Sequence, residues 1–114
     1  MSLIDDRTAL AAAMDGVTDV NGHDRRPAAP RLGDAWPFLE RFDVEQGLVL
    51  RPTWKVIVLL PQDEFKASEW MDDHLALIFA ALRGPGWAES AEPALMRVGR
   101  TDAYVLEISL KMDP

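Results

Sequence analysis

The stretch WKVIVLLPQDEFKASEWMDDHLALIFAAL, Trp54–Leu82, decides the fold. Lys55–Leu60, KVIVLL, is read as a strand apolar on both faces. Such a strand predicts a central position, covered on both sides by its own domain or by a neighbour. Pro61-Gln62-Asp63 stops the strand, and Asp63 is placed to cap a helix. From there to about Arg83, Met71, Leu75, Ile78 and Leu82 recur on one helical stripe, widened by Trp70, Leu77 and Ala81. The helix spans roughly 30 Å, and Gly84-Pro85-Gly86 ends it.

Beyond the helix, residues 87–99 are mixed, with a strand expected at Ala94–Val98 and a hairpin turn at Thr101-Asp102. Tyr104–Lys111 alternates cleanly: Tyr104, Leu106, Ile108 and Leu110 take one face, Glu107, Ser109 and Lys111 the other. Before Trp54, residues 35–44 also alternate. Strict period two puts Trp36, Phe38, Phe42 and Val44 on one face, broken by Glu40, and Leu39, Arg41 and Asp43 on the other. Gln46-Gly47 reads as a turn. Leu48–Leu60 follows as a strand, with Pro52 at an edge or marking a break.

The N-terminal residues 2–14 read as a helix capped by Ser2, with Asp5 three residues on and Leu3, Leu10, Met14 and Val17 near one face. Asp15-Gly16 ends it. Residues 15–34, DGVTDVNGHDRRPAAPRLGD, are irregular apart from a short strand at Val17–Val20. Asn21-Gly22 signals a turn, and Pro27 and Pro30 exclude a regular helix. A loop of this length in a compact domain predicts an arm at about 17–34, ordered by a partner. The sum is one α+β domain over residues 1–114. Its small antiparallel (mixed) sheet has about four strands, with two main helices packed on one face.

The whole-chain numbers fit a single globular domain: 114 residues, 48% hydrophobic and 27% charged. With no cysteine, thiolate nucleophiles, disulfides and Cys-based metal sites are excluded. No apolar run approaches the ~20 residues that span a bilayer, and MSLIDDRTAL lacks the basic-then-apolar pattern of a secretory signal. The expectation is a soluble protein made in the cytoplasm. A formal net charge of -7 argues against general nucleic-acid binding, which needs Lys and Arg on phosphates. The clearest basic cluster, Arg25-Arg26 with Arg31, lies in the irregular loop and reads as a solvated loop in preference to a phosphate site.

Catalytic signatures are missing: no G-x-S-x-G elbow, no phosphate-binding P-loop, no G-x-G-x-x-G after a strand. His74 has Trp70, Leu77 and Ile78 at its helical neighbour positions, none of them metal ligands. His23-Asp24 has no nucleophile beside it. The acid pairs Asp5-Asp6 and Asp63-Glu64 suit the positive ends of helix dipoles. No cofactor and no metal is expected. Of four tryptophans, Trp54 and Trp70 fit the core better, whereas Trp36 and Trp87 fit core closure and interface anchor equally. The candidate subunit or partner contacts are Arg25, Arg26, Asp34, Trp36, Trp54 and Trp87. In "GDAWP", Gly33–Pro37, Asp34 lacks a second residue to complete a catalytic pair, so the segment reads as a hinge between arm and sheet.

The helix ending in "DGV", the Pro-rich loop, "GDAWP", the strand–"LP"–helix block and the closing "YVLEISL" together resemble the small tail terminator proteins of long-tailed phages, especially phages of actinobacteria. These also carry the labels tail completion or head–tail connector protein. The resemblance covers roughly residues 1–112. It implies a structural virion protein that forms a homohexameric ring at the head-proximal end of the tail tube, ends tube polymerisation and joins the tail to the head. Its implied partners are copies of itself, the major tail tube protein and a neck or stopper protein. DNA passes through the channel without specific binding, and no membrane, catalysis or cofactor is involved. The alternatives are another neck component, a small phage-encoded regulatory or host-interaction module, and an enzyme built on His23 or His74.

Overall fold

A computed structural model describes residues 2–112. In chain order the elements are α1 (Leu3–Asp15), β1 (Asn21–Gly22), β2 (Asp34–Glu45), β3 (Val49–Leu59), α2 (Glu64–Leu82), β4 (Trp87–Val98) and β5 (Thr101–Lys111). The fold is α+β, with one mixed sheet of five strands in the order β1-β2-β3-β5-β4. The additional strand is β1, two residues that pair in parallel with the start of β2, Asn21 with Asp34 and Gly22 with Ala35. The expected strand at Val17–Val20 is instead a turn whose two valines are buried.

Local chemistry explains the boundaries. Ser2 caps α1 by accepting from the Asp5 N–H at 3.2 Å, and Asp63 caps α2 by accepting from the Lys66 N–H at 3.2 Å. Pro52 breaks nothing: β3 runs through it, paired with Phe42 on β2, and β5 joins only from Thr53 onward. The last hairpin turns at Gly99-Arg100, with Gly99 in the left-handed region, so Thr101 and Asp102 already belong to β5. β4 begins seven residues earlier than expected, at Trp87 instead of Ala94. Its first half, WAESAEP, has little strand propensity of its own; pairing with β5 holds it extended.

β3 is the central strand, between β2 and β5, and from Pro52 onward side chains on both of its faces are largely buried. Trp54, Val56, Val58 and Leu60 join Leu106, Ile108 and Leu110 of β5 under the helices, which contribute Leu10, Met14, Ile78 and Leu82. The opposite face holds a smaller cluster of Trp36, Ile57, Leu59 and Val105, edged by Met96 and Ala103. Farther along that face, Lys55 donates to Glu107 at 2.8 Å and lies 3.7 Å from Glu40. The bond to Glu107 raises the Lys55 pKa above its ordinary value, against the effect of burial.

One reading of the strand faces is corrected. β2 carries a bulge between Leu39 and Arg41, so Glu40 has no partner on β3. The extra residue reverses the alternation beyond it. Trp36 and Phe38 pair with Ile57 and Lys55 on the face away from the helices. Phe42 and Val44 pair with Pro52 and Leu50, and so share the helix side with Trp54. They do not continue the face of Trp36.

The two hairpins leave the sheet at opposite ends. β3 outruns β5 at its start, so the β2–β3 tip projects beyond one end. β5 outruns β3 at Val105, so the β4–β5 tip projects beyond the other. The molecule is accordingly elongated, 45 × 30 × 21 Å.

Candidate interaction site

The loop expected to be an arm is docked on its own domain. Gly22 lies so close to α1 that an added Cβ would stand 2.0 Å from the Ala11 carbonyl oxygen, and its N–H donates to Asp15 Oδ1 at 3.1 Å. The Asn21 N–H donates to Gly33 O and the His23 N–H to Ala35 O. Arg7 donates to the carbonyls of Asp24 and Pro37, and its guanidinium lies over the Trp54 ring at 5.1 Å. Docking leaves much of the loop in water, from Thr18 and Asp19 through Arg25 and Arg26 to Arg31 and Leu32, and Arg25 pairs with its neighbour Asp24.

Asp34 is the organiser of this junction. Buried at the start of β2, it accepts from the Arg31 N–H at 2.8 Å and meets His23 Nε2 at 3.1 Å. Burial alone would raise its carboxyl; the Arg31 N–H and the His23 ring outweigh burial and hold it below the ordinary carboxylate value. The other histidine ties down the same loop. His74 stacks on Trp70 with centroids 4.1 Å apart, and its Nδ1 lies 2.7 Å from Trp70 O. Its Nε2 lies 3.2 Å from Oδ2 of Asp19, a residue in the left-handed region at φ 66°. Each of the two imidazoles therefore fastens loop to body. Asp19 and His74 border an open cleft of about 560 Å³ with Leu32 and Trp70, which brings no hydroxyl nucleophile to the pair. Among the described residues, no group of three His, Asp or Glu side chains converges to hold a metal ion, and no helix is long and apolar enough to cross a membrane.

The tryptophans separate. Trp54 is fully buried beneath the helices, and Trp36 is 2% exposed in the smaller cluster. Neither presents an indole to a partner; both close cores. Trp87 is 43% exposed and carries the Arg51 guanidinium over its ring at 5.0 Å. Of the six expected contact residues, Arg25, Arg26 and Trp87 reach the surface, Asp34 is a buried junction, and Trp36 and Trp54 are core.

Sequence reasoning missed the most exposed apolar surface. Beyond the bulge, the β2–β3 hairpin is a two-sided ribbon. Phe42, Val44 and Leu50 line one side, Leu48 caps the tip at 95% exposure, and Val49 adds to it from the other side. The charges of that other side are matched among themselves, Arg41 with Asp43 at 3.2 Å and Arg51 with Glu45 at 3.0 Å. The signal was present in FDVEQGLVL, where apolar residues continue through a turn that carries Gln46 and Gly47 in the left-handed region. Only the bulge shows that they run past the cover of the helices.

The outer strands are shielded against simple extension of the sheet. β2 is covered by β1 only at Asp34 and Ala35; past that point it carries Pro37 and the bulge. β4 carries Pro93 and a second bulge between Ala88 and Ser90. Proline and bulges on outer strands discourage edge-to-edge pairing. The surfaces fit for contact are thus the ribbon and the hollows of the sheet ends. In comparison with known proteins, no family model, no curated protein and no solved structure matches this chain.

Proposed function

We propose that this protein is a non-enzymatic assembly component of a phage virion, a tail terminator that forms a ring on the head-proximal end of the tail tube and joins it to the neck. The observation that carries the assembly role is the β2–β3 ribbon, which gathers five exposed apolar side chains on one projecting hairpin. Exposed apolar patches of several hundred Å² on soluble domains mark contact surfaces. The resemblance of the whole chain to tail terminators supplies the particular role. A net charge of -7 also suits a channel through which DNA slides without being held.

The test is loss of the gene in the phage that encodes it, read by electron microscopy of lysates. The proposal expects tails of uncontrolled length, unattached to heads. Separate heads and tails of normal length place the protein elsewhere in the neck. Infectious particles with normal tails refute a virion role.

A further inference from the structure

We propose that the β2–β3 ribbon of one copy docks, head to tail, in the groove at the opposite end of the sheet of the next copy. The inference rests on the reading of the chain as a ring-former and assigns the two surfaces that meet. The groove has a volume of about 450 Å³; Leu32, Leu59, Val98 and Ala103 give it an apolar wall, and the charged Arg31 and Asp102 line it as well, with Thr101 beside them. It lies where the loop before β2, the end of β3 and the β4–β5 hairpin come together. Its size is within the about 300–1,000 Å³ of pockets that receive apolar groups.

Three observations support a second copy as the occupant. The first is reach. The eleven residues of β3 from Val49 to Leu59 hold the ribbon tip roughly 33 Å from the groove at about 3.3 Å per step, so the chain cannot fill its own groove. The second is area. Phe42, Val44, Leu48, Val49 and Leu50 expose on the order of 500 Å² of apolar surface, near the top of the largest patch on an ordinary monomer. With its polar flanks the ribbon approaches the about 800 Å² per partner of a standard interface. The third is charge. Arg41 and Arg51 of the ribbon are matched by Asp43 and Glu45 of the same ribbon, so it brings no unmatched cation to a groove that already holds Arg31 and Asp102. Two different surfaces at opposite ends of one chain make a heterologous contact, the kind that closes into a ring when the rotation allows.

The chain has no cysteine, which gives a direct test. Leu48→Cys and Thr101→Cys are both at exposed positions. Mixed and oxidised, the two single variants should form a heterodimer, and the double variant a ladder of covalent multimers. Tip-to-tip Leu48→Cys homodimers without a ladder overturn the proposal, and so does a protein that stays monomeric on the gel. In sedimentation, Leu48→Asp should weaken self-association at least tenfold, whereas Ile4→Asp, at another exposed apolar site, on α1, should not. Equal effects of the two also overturn it. The ring reading is judged separately: normal tails without the gene refute it whatever the cross-links show, and disordered tails with no Leu48–Thr101 cross-link leave the ring standing and remove the ribbon from its contact.

Discussion

Replacing Gly22 by alanine separates a docked loop from a free arm. The new Cβ would meet the Ala11 carbonyl oxygen at 2.0 Å, the Asp15 nitrogen at 2.6 Å and the Ala11 carbonyl carbon at 3.1 Å, all backbone atoms of α1. No rotamer change relieves contacts with backbone, so β1 and α1 must part. Ordinary contact begins at 3.4 Å, which sets the separation at about 1.4 Å. That movement breaks the 3.1 Å bond from Gly22 to Asp15 and loosens Leu10 and Met14, which α1 inserts into the core. Overpacking of this kind costs about 3 kcal/mol, the top of its usual range, because a hydrogen bond is lost as well. For a domain of this size the melting temperature falls by about 10–15 °C. Urea unfolding followed by tryptophan fluorescence and far-UV circular dichroism measures the difference. Gly16→Ala is the control, since its Cβ meets nothing closer than 3.6 Å. A Gly22→Ala protein within about 0.5 kcal/mol of the parent, inside the range of neutral surface changes, would refute the docking and return residues 17–34 to the role of a free arm.

The tryptophans give a graded series. Trp54→Ala should cost about 3–5 kcal/mol by urea unfolding, Trp36→Ala nearly as much, and Trp87→Ala under about 1 kcal/mol. A stable, folded Trp36→Ala protein that fails only in assembly would make Trp36 an anchor after all. The lowered Asp34 pKa means that its carboxylate stabilises the fold above the ordinary carboxylate pKa of 3.8, and that this contribution is lost as pH falls through the depressed folded value. Asp34→Asn should therefore be less stable at pH 7 and lose less on acidification than the parent; parallel stability curves from pH 7 to 3 would contradict this. The raised Lys55 pKa has the opposite sign. Its contribution is complete below 10.5 and disappears as pH climbs through the higher folded value. Lys55→Met should flatten stability against pH above about 10, read by thermal melts in alkaline buffers.

The readable parts of this sequence were those in which local pattern and tertiary cover agree. The α2 helix, the alternation of β5 and the doubly apolar Val56–Leu60 each report one regular element that stands where the pattern put it, although Leu77, expected to widen the α2 stripe, is exposed and His74 is buried there instead. The bulge at Leu39/Arg41 was not readable, because a single unpaired residue leaves composition unchanged while turning Phe42 and Val44 to the opposite face. The docked loop was hidden for a similar reason. Gly22 looks like a turn residue, yet its missing side chain serves a close approach to α1, a contact between segments that the sequence does not juxtapose. Among the expected contact residues, residue type did not reveal depth. The same indole that suits an interface fills the core at Trp54 and Trp36, and only Trp87, on the outer strand, reaches solvent.

The strand order has a bearing on how the chain is made. β3 finds its second neighbour in β5, which arrives only after α2 and β4 have been laid down; Lys55 and its partner Glu107 are 52 positions apart. During synthesis at about 5–20 residues per second, the most apolar strand of the protein waits several seconds with one side unpaired. Its cover in that interval is the β2–β3 hairpin and the two helices. Folding that depends on so distant a pairing is slow, and the waiting strand is open to aggregation. Abundant production of the protein would then be limited by the delay before β5 closes the sheet, a delay that a chaperone able to hold Val56–Leu60 would make harmless.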